Sequence, residues 1–372
     1  MDLKLSKVTE KENSLEFDIH GVDVSVVNSL RRVLLTRIET LVFRGFPYAQ
    51  NKLEFLKNKT KFNNEYLKHR IQCIPIFVED DTKYENFVQN FKVVLNVQNH
   101  TNELLYVTTR DFKVINQVSG KAVDPVQVRK MFPPDPISQD FIPICVLMPK
   151  LTETDEPEGL ELSLSFTTGC AKEDACWNVV SKCCYFNLED DAKVKEAMSK
   201  IKDDVDRKDF ALLDAQRLYL PNQFHMILHS NGIFTPTKLL TKACNYLIER
   251  FQDLNLFLST QSTVTEERYD TIEPFAIYKE ETNTVPIYHL RIEQDDFTLG
   301  KLIENYLNLM FRQEFLYIAF KKVHPHDSHC FISFSYRNED KPLEVLVSYL
   351  DQVSRHVIEI YEKIAMLGAG SA

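Results

Sequence analysis

Val26-Val27-Asn28-Ser29-Leu30-Arg31-Arg32-Val33-Leu34-Leu35 carries apolar residues at three- and four-residue steps, and the pattern runs from Asp23 to Thr40. Val26, Val27, Leu30, Val33, Leu34 and Ile38 would line one side of a helix, so the spacing predicts an amphipathic helix that packs by that stripe. Asp23 or Ser25 can serve as its N-cap. Arg31 falls at the edge of the stripe and Arg32 off it. Just upstream, Ser14 to Ile19 alternates apolar and polar, the signature of a strand, which Gly21 ends. Just downstream, residues 40–47 read as a strand that stops at Pro47.

The same plan returns near the far end of the chain. Residues 287–293 (Ile-Tyr-His-Leu-Arg-Ile-Glu) read as a strand. Residues 298–311 read as a helix with Leu299, Leu302, Tyr306 and Met310 on one face, and strands follow near 315–321 and 330–335. Laying Val26 to Leu35 beside Thr298 to Leu307 keeps most apolar positions in register, which implies an internal duplication.

Each copy is expected to end in a long helix. After a strand over 223–230 closed by Asn231-Gly232, Pro236 opens a helix whose Leu240, Cys244, Leu247, Phe251, Leu254 and Leu258 step by four and three. The C-terminal helix repeats that rhythm with Leu346, Leu350, Val353, Val357, Ile360, Ile364 and Leu367. Two heptad seams in one chain are natural partners. Leu240, Leu247, Phe251 and Leu254 should therefore pack against Leu350, Val353, Val357, Ile360 and Ile364.

Between the first strand–helix unit and the helix at 236 lie many short β-like segments, including Phe91–Val97, Leu104–Thr108 and Leu160–Phe166. They suggest a β-rich insert. Within it, Val123–Asp140 is rich in proline and reads as a loop, and Glu189–Asp214 is highly charged and reads as a solvated helix or connector. The expected fold class is α+β. A first dimerisation module takes residues 1–46 and 219–260, and the insert takes 47–218. A linker over 261–284 leads to a second module over 285–367 and a tail of small residues, 368–372.

Composition narrows the function. The 372 residues are 44% hydrophobic and 26% charged, enough to bury a real core. With 44 Lys+Arg against 54 Asp+Glu, the net charge of -10 repels a phosphate backbone, so direct nucleic-acid binding is not expected. No stretch approaches the ~20 continuous apolar residues of a membrane span, and the N-terminus lacks the apolar core of a signal peptide. An intracellular location follows as the expectation. The eight cysteines form no C-x-x-C pair and sit mostly in apolar runs, so they read as buried reduced thiols. No Gly-rich phosphate loop, nucleophile elbow or acidic polymerase triad occurs, and no catalytic residue is assigned.

At this point several segments together resemble a family. The Asn28–Leu35 helix is similar to the signature helix of the RNA polymerase alpha family, which includes the archaeal D subunit and the eukaryotic third-largest subunit. Glu65–Pro75 resembles that family's opening of the insert, and Thr109-Arg110-Asp111-Phe112 a further short motif. Gly169–Val180 resembles a third, with Asp174 where the family usually has His. The C-terminal third resembles the smaller partner subunit, archaeal L or eukaryotic eleventh. There Asp295-Asp296-Phe297-Thr298-Leu299-Gly300 carries the signature, with Phe297 in place of His, and His324-Pro325 a turn.

The resemblance implies an assembly platform that docks the two largest polymerase subunits and a small subunit of the tenth/twelfth or N type. Nucleic acid would be met only through the complex, and no homodimer is expected. It assigns Arg31, Arg32, Asn28, Leu30, His69, Arg70, Asp296, Thr298, Leu299 and Gly300 to subunit interfaces. Guanidinium pairing suits the arginines to that role; the alternative is that they are solvated helix charges. Likewise His69 and Arg70 could orient the insert by hydrogen bonds to backbone or be ordinary surface residues, and Trp177 reads as core rather than contact. Fusion of the two partners is a pattern of large DNA viruses, which implies a viral factory in host cytoplasm or nucleus, and the virion as a further location. Some family members hold zinc or iron–sulfur through clustered cysteines; residues 77–90 have none, so no cofactor is expected. Two other readings stay open. One is a coiled-coil adaptor. The other is a metal protein built on His324-Pro325-His326-Asp327-Ser328-His329-Cys330, although neighbouring strand residues point to opposite faces.

Overall fold

The structure is a computed structural model and describes residues 3–150, 152, 156–260, 274–280, 286–337 and 341–369, the side chains of 367–369 excepted. The chain is a mixed α/β protein. It begins with β1 (Lys4–Lys11), β2 (Ser14–His20), α1 (Val24–Thr36) and β3 (Thr40–Phe43). Next come β4 (Leu53–Asn58), α2 (Asn64–Gln72), α3 (Tyr84–Asn90), β5 (Phe91–Gln98), β6 (Leu105–Thr108), β7 (Lys113–Asn116), α4 (Pro125–Met131) and β8 (Pro143–Leu147). The middle continues with β9 (Gly159–Gly169), β10 (Val180–Glu189), α5 (Asp191–Ser199), α6 (Asp204–Asp209), β11 (Tyr219–Ser230) and α7 (Pro236–Thr260). The last third holds β12 (Phe275–Glu280), β13 (Ile287–Glu293), α8 (Phe297–Phe311), β14 (Phe315–Lys321), β15 (His329–Tyr336) and α9 (Leu343–Ala369).

These elements form two compact units. Unit 1 takes residues 1–35, 182–229 and 236–372; unit 2 takes 36–181 and 230–235.

Unit 1 contains two four-stranded antiparallel sheets, ordered β1-β2-β11-β10 and β12-β13-β15-β14. Their central strands share one plan. β2 and β13 have the same alternation of buried and half-buried residues. Buried Val26, Leu30, Val33 and Leu34 of α1 correspond in order to buried Leu299, Ile303, Tyr306 and Leu307 of α8. One constant offset relates Ser14 to Ile287, Asp23 to Asp296 and Val26 to Leu299, so the expected alignment of Val26 with Thr298 is one residue out of register. An amphipathic stripe barely distinguishes a one-residue slip, because apolar residues recur at both three and four; the strand and the cap decide it. A second constant offset relates the sheet partners Phe224 and Cys330, then Pro236 and Pro342, then Leu240 and Leu346, and so on down both seams.

Unit 2 is built on a sheet ordered β3-β9-β5-β7, with β4 also paired to β9, and a two-stranded β6-β8 ribbon. Its core is aromatic. Phe43 stacks on Phe166 at 5.6 Å and on Phe132 at 6.1 Å, and Phe112 meets Phe132 edge-on at 5.1 Å. Such pairs add about 0.5–1.5 kcal/mol each beyond burial.

Four expectations move. Residues 36–46, expected in the first module, belong with unit 2, because β3 pairs with β9. Residues 182–218 belong with unit 1, because β10 hydrogen-bonds beside β11 at that sheet's edge. The run 123–140 is not all loop: Asp124 accepts from Val126 N at 3.1 Å and Pro125 takes the first turn of α4, the ordinary proline-at-start arrangement. The linker placed at 261–284 contains β12, which pairs with β13 from Phe275 opposite Ile292 to Glu280 opposite Ile287; residues 261–273 and 281–285 lie outside the described residues. β1 and α2 carried too little apolar periodicity to be read from sequence, and β1 is indeed mostly exposed.

Candidate functional site

Asp23 caps α1, accepting from Ser25 N at 2.8 Å, and Asp296 caps α8, accepting from Thr298 N at 3.2 Å. Each cap aspartate is also reached by the other helix. Arg32, on the second half of α1, places Nη2 2.8 Å from Asp296 Oδ1 and donates from Nε to Thr298 Oγ1 at 2.9 Å. Asn305, the residue of α8 that corresponds to Arg32, donates to Asp23 Oδ1 at 3.4 Å. The end of each helix thus meets the start of the other, a reciprocal clasp with a cation on one side only. Burial alone would raise the Asp296 carboxyl; the charge and hydrogen bond of Arg32 and the two contacts to Thr298 outweigh it and hold the group at about 2.

Beneath the clasp, α7 packs along α9. Leu240, Cys244, Leu247, Phe251, Leu254 and Leu258 are buried, as are Leu346, Leu350, Val353, Val357, Ile360 and Ile364. Leu367 falls among the residues whose side chains lie outside the described set. Polar links run from α9 to α7 and to α1. Ser354 donates to the Phe251 carbonyl at 3.1 Å, and the Tyr361 hydroxyl meets Ser29 Oγ at 2.6 Å. Ser29 also lies 2.8 Å from the carbonyls of Ser25 and Val26. A hydroxyl has one proton, so Ser29 donates to backbone and Tyr361 donates to Ser29. In the sequence both Ser354 and Tyr361 are polar groups on an otherwise apolar stripe.

Several residues expected at subunit interfaces are closed off instead. Leu30, Leu299 and Gly300 are buried inside unit 1, because they face the core side of their helices. A Cβ at Gly300 would run into the Phe320 ring, so glycine there serves the close approach of β14 to α8. Arg32, Asp296 and Thr298 are engaged with one another. Asn28 accepts from both Nε (3.1 Å) and Nη2 (2.9 Å) of Arg31, holding that guanidinium half-exposed on the outer side of α1.

In unit 2 the motif segments converge on Gln72 and Trp177. Gln72 accepts from Gly45 N at 3.1 Å and donates to Asp174 at 2.6 Å, joining the end of β3, α2 and the loop after β9. Asp174, in the place of the family's usual His, also caps the turn at Cys176 N (3.0 Å). Trp177 is 5% exposed; Arg44 lies 4.5 Å over its ring and pairs with Glu173 at 2.7 Å. A Cβ at Gly169 would stand 2.7 Å from that ring, which explains the glycine. Arg70 donates to the carbonyls of Ile144 (2.9 Å) and Pro143 (2.6 Å), while His69 stacks on Phe46 at 4.4 Å and stays exposed. Arg44 and Gln72 were missed in the sequence because neither breaks a periodicity.

The segment 324–330 turns between β14 and β15. Asp327 accepts from His324 N at 2.9 Å, and Cys330 is buried toward Ile292. Among the described residues no group of three or more His, Cys, Asp or Glu is placed to hold a metal ion, and none of the helices is long and apolar enough to cross a membrane. The cysteines are free, but not uniformly buried: Cys145, Cys183, Cys244 and Cys330 are, whereas Cys73 is exposed.

The sequence profile of the RNA polymerase Rpb3/Rpb11 dimerisation domain matches residues 16–251. Among curated proteins, DNA-directed RNA polymerase subunit Rpo3 of Methanosphaera stadtmanae is 27% identical over 187 residues, 48% of this chain and 59% of the relative. Human DNA-directed RNA polymerases I and III subunit RPAC1 is 33% identical over 78 residues, 21% of this chain and 20% of its own length. A conjugation stage-specific protein of Tetrahymena thermophila is 31% identical over 138 residues, 34% of this chain and 42% of its own length. The chain therefore spans less than two thirds of the length of each of these relatives.

Proposed function

Because the chain belongs to the RNA polymerase Rpb3/Rpb11 dimerisation-domain family, whose profile covers more than half of it, we propose that it is a non-catalytic assembly subunit of a multisubunit DNA-dependent RNA polymerase. In this reading it joins both members of the Rpb3/Rpb11 type of pair in one polypeptide, and unit 2 is the insert of the first. What carries the reading is the repeat inside unit 1: two strand–helix–strand–helix runs at constant offsets, clasped through Arg32 and Asp296 and seamed through α7 and α9.

The chain then offers Arg31 of unit 1 and exposed His69 of unit 2 to the two largest polymerase subunits and to a small subunit of the tenth/twelfth or N type. A chain whose seams are filled by each other has no open seam left for a second copy, which favours this reading over a homo-oligomeric adaptor. The fusion pattern also supports an origin in a large DNA virus, with work in a host-cell viral factory and packaging in the virion.

Affinity purification of the native protein from its source, followed by mass spectrometry, tests the assignment. Two co-purifying chains of large polymerase-subunit size are expected, and Arg31→Glu should weaken their recovery. Purification alone, or only as a homodimer in light scattering, would overturn it.

A further inference from the structure

A cavity of about 590 Å³ opens beside the phenylalanine core of unit 2, between the turn at Thr109, β7 and α4. This lies within the size range of ligand sites, roughly 300–1,000 Å³. Its floor is apolar: Phe112, Val128 and Phe132 are buried and Phe141 stands to one side. Its mouth is basic. Arg110, Lys113 and Arg129 all line it, all are exposed, and none joins an ion pair among the described residues. Arg129 is held over the Phe141 ring at 5.6 Å. The one acid in the lining, Asp124, is committed to capping α4. Thr109, 2% exposed, borders the cavity with a hydroxyl that has no hydrogen-bond partner among the described residues.

On a chain of net charge -10, three unpaired cations around an apolar hole reverse the local sign. Like charges held together are relieved by an anionic occupant, and such complementarity selects partners. We propose that this cavity seats an acidic segment of a partner polypeptide, an aromatic or aliphatic side chain filling the phenylalanine-walled hole while flanking carboxylates pair with Arg110, Lys113 and Arg129. Single-stranded nucleic acid fits less well, because it needs aromatic faces presented for stacking, whereas Phe112 and Phe132 are 4% and 2% exposed. The site belongs to unit 2 alone and does not depend on the assembly role.

The full chain can be panned against a displayed library of random short peptides, with the doubly substituted Arg110→Glu/Arg129→Glu chain as the counter-target. The expected result is enrichment of peptides with one large apolar residue between acidic residues. The best of them should bind the double variant at least about tenfold more weakly, and a lysine-for-acid version should recover binding to that variant. Both substituted side chains are exposed, and unchanged Trp177 fluorescence verifies that unit 2 is folded; Lys113→Glu gives an independent second variant. Enrichment no better than on the double variant, enrichment of neutral or basic peptides, or displacement of the peptide by a tighter-binding single-stranded oligonucleotide would overturn the proposal. Each of these outcomes is separate from whether the chain co-purifies with polymerase subunits.

Discussion

Replacing Arg32 by methionine should loosen α8 from α1 while leaving unit 2 as it is. Arg32 supplies a cation to the α1–α8 clasp, 2.8 Å from Asp296, and its side chain is 30% exposed against 16% for the aspartate. The Asp296 carboxyl falls from the ordinary 3.8 to about 2 in the fold. At about 1.4 kcal/mol per pKa unit that is roughly 2–2.5 kcal/mol, and screening at a partly open site reduces it to about 1–2 kcal/mol. A depressed carboxylate contributes stability that is complete above its unfolded value and is lost as pH falls through its folded value. Roughly half of the contribution should therefore be gone near pH 3.

Asp296→Asn removes the charge and keeps an oxygen for the Thr298 cap, so the pair forms a double-mutant cycle with Arg32→Met. Hydrogen–deuterium exchange of peptides from α1 and α8 reads the local loss. Trp177 lies in unit 2, and its fluorescence is an internal control. A coupling near pH 7 below about 0.3 kcal/mol, or one that does not shrink toward pH 3, would refute the clasp as the origin of the depressed carboxyl.

Gly300→Ala forces a methyl into Phe320 and should cost about 1–3 kcal/mol, read as a lowered urea midpoint with exchange rising first in α8 and β14. Tyr361→Phe and Ser29→Ala should each cost about 1 kcal/mol, the phenol in the serine variant keeping the longer bond to the Val26 carbonyl at 3.5 Å; additive losses in the double variant would argue against the 2.6 Å bond. Burial pushes the thiols of Cys145 to about 11 and of Cys183 and Cys330 to about 12, and drives Cys244 higher still. Alkylation followed by peptide mapping should thus label exposed Cys73 first, and those four only as the chain unfolds.

The long helices, both seams and the central strands were legible because periodicity survives without knowledge of neighbours: a residue on an apolar stripe has to be buried somewhere. Loss of the pattern marked what was missed. β1 is an edge strand with little to bury, and α2 has a weak stripe interrupted by charges. The boundary of unit 2 at 181 rather than 218 depended on β10 pairing with β11 across the chain, which no local window contains.

The sequence by itself determined that an amphipathic helix over Asn28–Leu35 follows a strand, that the plan recurs near 287–311, and that two long seams exist to be matched. Tertiary structure alone decided the register of the repeat and the destination of its polar groups. Arg32 turned out to serve Asp296, and Ser29 to serve Tyr361. Periodicity fixes which face of a helix is buried, but apolar contact is non-directional and tolerates a one-residue slip. Hydrogen bonds and ion pairs do not, and their partners lie hundreds of residues away in sequence, so only the folded chain could name them.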